Sequence, residues 1–203
     1  MIDYGSEVVA GALEFTNVLG RRILGVTGEG PAGAPRGTVV LVPGYQQRIH
    51  HLALLSRSLV RHGYRTVRFD LTNHVGHSEG EVADLSMSSM AHDAEAVLSG
   101  CADRWVGPLF VVATSLGARA VVRALTSGST GSVTAAVLVL PVVDVEYTIN
   151  EAVERDVFDE WRSGRHNDPF ELGRVIDHDI RYHFVRDAIE SGFAGRLSCQ
   201  EVV

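Results

Sequence analysis

The stretch that decides the fold is residues 109–120, whose sequence is LFVVATSLGARA. Its first four residues are apolar and partly β-branched, which is typical of a buried strand. From Leu116 onward the apolar residues recur at helical spacing, and Gly128 supplies a stop. Ser115 is therefore predicted to lie where a strand turns directly into a helix, which is the position of the serine in a nucleophile elbow.

The elbow requires small residues on both sides of the serine, because the sharp turn crowds the backbone. Ala113 and Gly117 lie two residues before and two residues after Ser115. The usual pattern has glycine at the first of these positions, so Ala113 is a departure, although a methyl group is the smallest addition to glycine. A second interpretation stays open, in which Ser115 is only the N-cap of the helix.

The composition is that of a globular protein with a sizeable core. The chain has 203 residues, 45% of them hydrophobic, and a formal net charge of −7. This length favours one domain, and the negative charge argues against a nucleic-acid partner. No apolar run is long enough to span a bilayer, the N-terminus lacks the features of a signal peptide, and Cys101 and Cys199 form no metal or redox motif. We expect a cytoplasmic protein without metal, cofactor or membrane span.

Apolar strands alternate with amphipathic helices on both sides of residues 109–120. The predicted elements are strands at 18–26, 38–42, 65–70 and 134–142, and helices at 48–62 and 86–99. Continuously apolar strands joined by helices indicate an α/β fold, with a mostly parallel sheet covered on both faces. In the first helix, at residues 48–62, the side chains predicted to face the core are those of Ile49, Leu52, Leu55 and Leu59. Ligands bind at the carboxyl ends of such strands, where the sequence has Tyr45, Gln46, Asp70, Ser115 and Asp144.

The alternation stops after Asp144. Residues 151–161 carry apolar side chains on one helical face, and Asp168 with Pro169 predicts the start of a second helix that runs to about residue 190. Two successive helices without a strand predict a lid over the strand ends, with further covering of the core as the alternative. The predicted division is core at 1–143, lid at 144–195, and the beginning of further core at 196–203.

Several segments together resemble one known family. They are residues 44–52 (GYQQRIHHL), 63–70 (GYRTVRFD), 73–80 (NHVGHSEG) and 113–119 (ATSLGAR), with a weaker likeness at 184–187 (FVRD). In sequence and order they resemble the bacterial luminescence acyltransferases, which are thioesterases of the α/β-hydrolase superfamily. The 73–80 segment discriminates best, because general hydrolases more often carry an Arg-Gly-His-Gly type of loop there.

The resemblance implies an α/β-hydrolase fold and an acyl-transfer reaction. Ser115 would be the nucleophile that accepts the acyl group, and the backbone amides of Tyr45 and Leu116 would form the oxyanion hole. In this chemistry the serine hydroxyl attacks a thioester carbonyl, and preorganised amides hold the resulting oxyanion. The substrate implied is a thioester of acyl carrier protein or coenzyme A, with its acyl chain in an apolar cleft under the lid.

The loops at the strand ends add candidates for the substrate cleft. Gln46, His74 and His77 lie beside the expected cleft, where they contact substrate or are satisfied loop polar groups. His178 and His183 lie on the predicted lid helix, where histidines are usually solvated. Asp144 follows a strand, where some lipases hold their acid, or it caps the next loop.

The acid and base of a hydrolase triad are the part of the pattern that this chain does not supply. In hydrolases the order is Ser, then Asp or Glu, then His, and the family's acid and base lie on strand ends after the lid. We therefore expect the chain to be the N-terminal part of a longer hydrolase, lacking the C-terminal strands. Its sheet would have an exposed apolar edge that pairs with another copy or with a complementing C-terminal fragment. Two other functions stay open: a non-catalytic binding protein with a hydrolase fold, and a general carboxylesterase.

Overall fold

The computed structural model describes residues 8–30, 33–128, 130, 133–154, 156–163, 170–171, 179–180 and 182–190. One sheet contains β1 (Val8–Thr16), β2 (Arg22–Glu29), β3 (Thr38–Val42), β4 (Arg65–Phe69), β5 (Leu109–Thr114) and β6 (Val133–Val139). A second, small sheet contains β7 (Phe170–Glu171) and β8 (Asp179–Ile180). The helices are α1 (Ala53–Arg61), α2 (Met87–Arg104), α3 (Ser115–Thr126), α4 (Val145–Val153), α5 (Val157–Arg162) and α6 (Tyr182–Glu190).

The large sheet has the strand order β1-β2-β4-β3-β5-β6. Strands β4, β3, β5 and β6 run parallel to one another, whereas β2 runs antiparallel to both β1 and β4. Val40 of β3 pairs in register with Val67 of β4 and with Val111 of β5, and all three valines are buried. The predicted mostly parallel sheet is therefore confirmed.

Helices cover both faces of the sheet, as predicted. Helices α2 and α3 pack against one face of the sheet and form the main core, in which Val42 and Phe69 are buried. On the other face, Leu52 packs with Val39 and Leu41 just before α1. Because both faces are covered, the polar side of β4 is buried as well. The hydroxyl of Thr66 forms a hydrogen bond with the hydroxyl of Ser56 on α1, with the two oxygens 2.7 Å apart.

The first predicted strand, at residues 18–26, is wrong in its position. Residues 17–21 form the turn of a β1–β2 hairpin, and β2 begins only at Arg22. The side chain of Asn17 sets this turn, because its Oδ1 accepts hydrogen bonds from the amides of Leu19 and Arg21, each at 3.0 Å. The apolar residues Val18 and Leu19 are consequently exposed instead of lying in a strand.

The two early helices differ from their predicted bounds. Residues 49–52 form a 3-10 turn before α1, so the buried stripe is Leu52, Ser56 and Val60, and Leu55 is exposed. Helix α2 continues five residues past its predicted end, and Gly100 lies within it. Glycine is needed there for packing, because a Cβ atom at this position would lie only 2.7 Å from the ring of Phe15.

The segment after β6 is helical in part. The predicted helix at 151–161 falls in two helices, because α4 ends at Val153 and its C-cap, Glu154, has a left-handed conformation with φ 56°. The predicted helix at 168–190 is wrong: β7 and β8 pair antiparallel, and α6 begins at Tyr182. Ile180, in β8, is β-branched and favours extended structure over helix. Asp168, Pro169 and His178 lie outside the described residues.

These later helices pack onto the main core, to which Val145, Ile149, Phe158, Phe184 and Val185 contribute buried side chains. The predicted division of the chain into core and lid segments stays a prediction. None of the described helices is long and apolar enough to cross a membrane.

Strand β6 forms an apolar edge of the large sheet. It pairs with β5 on one side only, and Val137 is 56% exposed, with Leu140 just beyond the strand at 85%. The predicted exposed apolar edge is present in the part of the sheet that the structure describes.

Candidate active site

Ser115 occupies a tight strand-to-helix elbow. It is the first residue of α3, directly after β5, and its backbone has a φ of 51°. This left-handed conformation is uncommon for a residue with a side chain, and such strain clusters at functional sites. The N-cap interpretation is wrong, because the N-cap position of α3 is Thr114.

The elbow is built against the loop that follows β3. A Cβ atom on Gly117 would lie 2.2 Å from the carbonyl oxygen of Pro43, and one on Gly44 would lie 3.1 Å from the Cβ of Ser115. Glycine is therefore required at position 117. At position 113 the strand accommodates the methyl group of Ala113, which is fully buried. The close approach brings the serine and the 43–47 loop together.

Gln47 joins the same two segments by hydrogen bonds. Its Oε1 accepts from the amide of Gly44 and from the hydroxyl of Thr114, each at 2.8 Å. The residue that precedes Ser115 is thus connected directly to the predicted oxyanion loop. Gln47 belongs to the 44–52 segment that carries the family resemblance, but its spacing alone does not reveal this role.

His74 supports the next residue of the loop. Gln46 adopts a φ of 60°, and its amide donates to Nε2 of His74 at 2.9 Å. Since Nε2 accepts, the imidazole is neutral with its proton on Nδ1. The buried His74 ring also packs edge-on against the ring of Tyr45, with centroids 5.5 Å apart. His74 therefore positions the loop that carries Tyr45.

Asp70 connects two loops at the carboxyl end of β4. Its carboxylate accepts from the amide of Ile49 at 2.8 Å and from the amide of His77 at 3.0 Å. A Cβ atom on Gly76 would lie 2.5 Å from this carboxylate, so the loop passes directly over it. The His77 residue itself is exposed. Its role at the substrate, and that of Gln46, stays a prediction.

An apolar cavity of about 140 Å³ opens beside Ser115. Its walls come from the elbow, the loop after β6 and two later helices: Tyr45, Ser115, Leu116, Val142, Val145, Thr148, Ile149, Ala152 and Phe184. The three residues predicted for the nucleophile and the oxyanion hole therefore share one cavity. The amide of Leu116 lies in the first turn of α3, where amides lack acceptors within the helix.

The remaining candidates for triad chemistry are placed elsewhere. Asp144 is exposed and caps α4, where its carboxylate accepts from the amide of Tyr147 at 2.9 Å. Of the two candidate histidines near the lid, His183 is half-buried on α6. Within the described part of the chain, no histidine or carboxylate forms a hydrogen bond with the Ser115 hydroxyl.

Arg119 connects the elbow helix to the cavity wall. Its guanidinium donates to the carbonyl of Val143 at 2.6 Å and to that of Ala188 at 2.7 Å. Burial lowers the pKa of this guanidinium, and the nearby charge of Asp144 raises it, but an arginine stays protonated in proteins. This role of Arg119 was not predicted, because Ala188 is 69 residues away along the chain and no local pattern reveals the contact.

Asp187 holds α6 from the opposite side. Its carboxylate accepts from the amide of Ser88 at 2.6 Å and from the hydroxyl of the same residue, at the N-terminus of α2. The guanidinium of Arg123 also forms an ion pair with this carboxylate, with Nη1 of Arg123 3.7 Å from Oδ1 of Asp187. A carboxylate at a helix N-terminus is favoured by the helix dipole. Together, Arg119 and Asp187 hold the helix that places Phe184 in the cavity wall.

Comparisons with known proteins agree with this architecture. The sequence profile of the acyl transferase family matches residues 29–194. A curated acyl transferase from Photobacterium leiognathi is 37% identical over 82 residues, which cover 40% of this chain and 26% of that protein. One from Photorhabdus luminescens is 27% identical over 162 residues, which cover 78% of this chain and 50% of that protein. The chain spans at most about half the length of these two relatives.

A solved structure shows the same fold. The alpha/beta hydrolase GrgF from Penicillium superposes with a TM-score of 0.60 and 18% sequence identity, over 89% of this chain and 63% of that one. At this identity the likeness shows the fold alone. The predicted α/β-hydrolase fold and the predicted family resemblance are both confirmed.

Proposed function

Because the chain belongs to the acyl transferase family, we propose that it transfers acyl groups through an ester on Ser115. The observation that carries the proposal is the strained elbow, whose serine opens onto an apolar cavity. In the proposed step, the Ser115 oxygen bonds to the thioester carbonyl carbon and loses its proton to a general base. The carbon–sulfur bond then breaks, and the thiol takes up a proton as it leaves.

The amides of Tyr45 and Leu116 are the proposed oxyanion hole. Both residues line the cavity with Ser115, and the contacts of His74 and Gln47 hold the loop on which Tyr45 lies. Such fixed donors are worth about 3–4 kcal/mol of barrier each when they point at the developing charge. This arrangement supports the roles that the family resemblance implies.

The acyl chain is proposed to enter the apolar cavity. An apolar cavity of about 150 Å³ holds a benzene molecule, so about 140 Å³ accommodates about six carbons. We therefore place the carbons nearest the carbonyl between α4 and α6. Ala152→Phe should fill this space and slow acylation by a hexanoyl thioester more than tenfold, whereas Glu151→Phe, on the exposed side of α4, should not. Equal rates for the two variants would contradict this placement.

The general base is proposed to lie outside the described residues. Coenzyme A and acyl carrier protein are both proposed carriers of the acyl group. A non-catalytic binding protein is the second candidate, and it is favoured by the lack of a described base at Ser115. A carboxylesterase would use the same serine, and comparing oxygen esters with thioesters of equal chain length separates it from a thioester-specific enzyme.

The test is the intact mass of the protein after incubation with hexanoyl-N-acetylcysteamine, a small thioester that needs no carrier. We expect one hexanoyl adduct, mapped to Ser115 by peptide sequencing. Ser115→Ala should abolish the adduct, and Ser58→Ala, at an exposed position on α1, should retain it. An unmodified protein, or an adduct elsewhere, would overturn acyl transfer and favour the binding function.

A further inference from the structure

The apolar cavity beside Ser115 runs along one side of α4. Its lining residues on this helix are spaced by three or four positions, and they are Val145, Thr148, Ile149 and Ala152. The amide of Val142 donates to the carbonyl of Ser115 at 3.4 Å, so the chain approaches α4 from beside the elbow. Because a helix rises about 1.5 Å per residue, Ala152 lies about 10 Å beyond Val145. Ala152 therefore marks the end of the cavity that is far from the serine.

The wall of the cavity becomes accessible to solvent at this far end. Val145 and Ile149 are buried, with 4% and 7% of their surfaces exposed, whereas Ala152 is half-buried. Helix α4 ends one residue later, and its C-cap, Glu154, is exposed. Beyond the helix end lies a polar cleft of about 450 Å³, lined by Asn150, Glu151, Glu154 and Asp156. The cavity is thus an apolar groove whose far end lies next to a polar, hydrated surface.

The opposite wall of the groove is attached to the helix that carries the nucleophile. Phe184 of α6 lines the groove and is buried. Arg119 lies about one helical turn after Ser115 on α3, and its guanidinium donates to the carbonyl of Ala188 on α6 at 2.7 Å. The position of this wall relative to the serine is therefore set through a short piece of one helix. An acyl chain in the groove would have its carbons at fixed distances from the reacting carbonyl.

The two ends of the groove would treat a polar substituent on the acyl chain differently. Between Ser115 and Ala152 the described walls are aliphatic or aromatic apart from Thr148, whose hydroxyl already donates to the carbonyl of Asp144 at 2.6 Å. A hydroxyl group on a carbon in this stretch would lose its water without gaining an equivalent hydrogen bond, which is unfavourable. A hydroxyl group on a carbon beyond Ala152 would keep its water.

We propose that the groove is open at Ala152, so that it recognises only about the first six carbons of an acyl chain and accepts longer chains with a polar far end. This inference rests on the proposed acyl transfer and names a substrate class for it, acyl thioesters with a hydroxyl group at the end of the chain. Ala152 determines this specificity, because its methyl group leaves the far end open and a larger side chain would close it.

The test compares pairs of N-acetylcysteamine thioesters that differ by one hydroxyl group. Acylation of Ser115 is followed by intact mass with hexanoyl, 5-hydroxyhexanoyl, decanoyl and 10-hydroxydecanoyl groups. We expect the internal hydroxyl group to slow acylation at least tenfold relative to hexanoyl, because it would be buried in the groove. The terminal hydroxyl group should change the rate less than threefold relative to decanoyl, because it would stay in water.

Ala152→Phe tests the far end of the groove directly. We expect it to slow acylation by the decanoyl thioester more than tenfold. Acylation by an acetyl thioester should stay within threefold of the parent rate, because this group is too short to reach position 152. The matched control is Ala102→Phe, the same substitution at an exposed position on α2, which should react like the parent with both thioesters.

Three results would overturn the open groove: a terminal hydroxyl group that slows acylation tenfold, an internal one without effect, or equal slowing of acetyl and decanoyl transfer by Ala152→Phe. Binding of the four thioesters to Ser115→Ala, measured by calorimetry, separates this outcome from the proposed reaction. If Ser115 forms no adduct but binding shows both hydroxyl effects, acyl transfer fails and the groove stands. If the adduct forms without these effects, acyl transfer stands and the open groove fails.

Discussion

At the scale of single residues, the site depends on positions where only one side chain fits. Ser115 was predicted from the strand before it, the helix after it and the small residues beside it. The contacts of Gln47 with Thr114 and of Asp70 with Ile49 were not predicted, because they join segments that are far apart in the sequence. A spacing pattern identifies the residue at a turn, but it does not identify which distant side chain holds that turn in place.

Gly117→Ala tests the packing of the elbow. Because the added methyl would meet the Pro43 carbonyl at 2.2 Å, we expect the free energy of unfolding to fall by about 2–4 kcal/mol. Urea denaturation measures this loss. The control is Gly11→Ala, where a Cβ atom meets nothing within 4 Å, and it should change stability by less than about 0.5 kcal/mol. Similar losses in both variants would contradict the proposed clash.

A second residue-scale prediction concerns Asp93, a buried carboxyl group on α2. Desolvation by burial raises its pKa from 3.8 to about 6, although hydrogen bonds from Asn17 and Thr72 lower it. Because the folded-state pKa lies above the unfolded one, the folded state binds more protons between these pH values. The contribution is fully present below pH of about 4 and is lost as the pH rises to about 6, by about 3 kcal/mol.

Asp93→Asn removes this titration. We expect the difference in unfolding free energy between pH 4 and pH 7 to change by up to about 3 kcal/mol relative to the parent protein. Urea denaturation at both pH values gives that difference, so any uniform loss of stability cancels. Asp103→Asn, at an exposed position on the same helix, should leave the difference unchanged. An unaltered difference in Asp93→Asn would show that Asp93 ionises normally.

At the scale of elements, prediction succeeded where apolar periodicity had one interpretation. The central strands follow their patterns closely, and on α2 the side chains of Met87, Met90, Ala94 and Val97 form a buried stripe at helical spacing. It failed where local hydrogen bonds or β-branched residues changed the outcome, as at the Asn17 turn and at β7 and β8. The position of α6 depends on contacts with α2 and α3, which no local pattern contains.

Arg119→Met tests how α6 is held. The substitution leaves the carbonyls of Val143 and Ala188 without their donor, so we expect a loss of about 1–3 kcal/mol in stability. Hydrogen exchange of residues 182–190 should become at least fivefold faster. Arg186→Met is the control, because that arginine is exposed on α6 and its ion pair among the described residues is a surface pair with Glu190. Equal exchange rates in the two variants would mean that other contacts hold the helix.

At the scale of the whole molecule, we expect the apolar edge at β6 to control whether the protein associates in solution. Unpaired strand edges with apolar side chains associate with other strands. The chain covers only part of its relatives, and pairing of β6 with a second copy or a complementing segment stays a proposal. The division into core and lid is likewise a prediction, since the continuous core joins both.

Val137→Lys tests this edge. We expect the parent protein to associate as its concentration rises through the micromolar range, and the lysine to shift that association at least tenfold upward. Sedimentation velocity over a concentration series measures both. Val106→Lys is the control, because Val106 is fully exposed and lies away from β6, and this variant should associate like the parent. A parent protein that stays monomeric throughout would contradict the proposed pairing.

The contact between Gly117 and the carbonyl of Pro43 has a practical consequence for protein engineering. Ser115 and Tyr45 of the proposed anion-binding loop are 70 residues apart in the sequence, yet close packing fixes the position of the elbow relative to that loop. A library of variants that changes only the elbow residues would be constrained by the unchanged 43–47 loop. A library that changes only the loop would likewise be constrained by the unchanged elbow. Grafting this site onto another scaffold would require transferring both segments together, as one discontinuous unit.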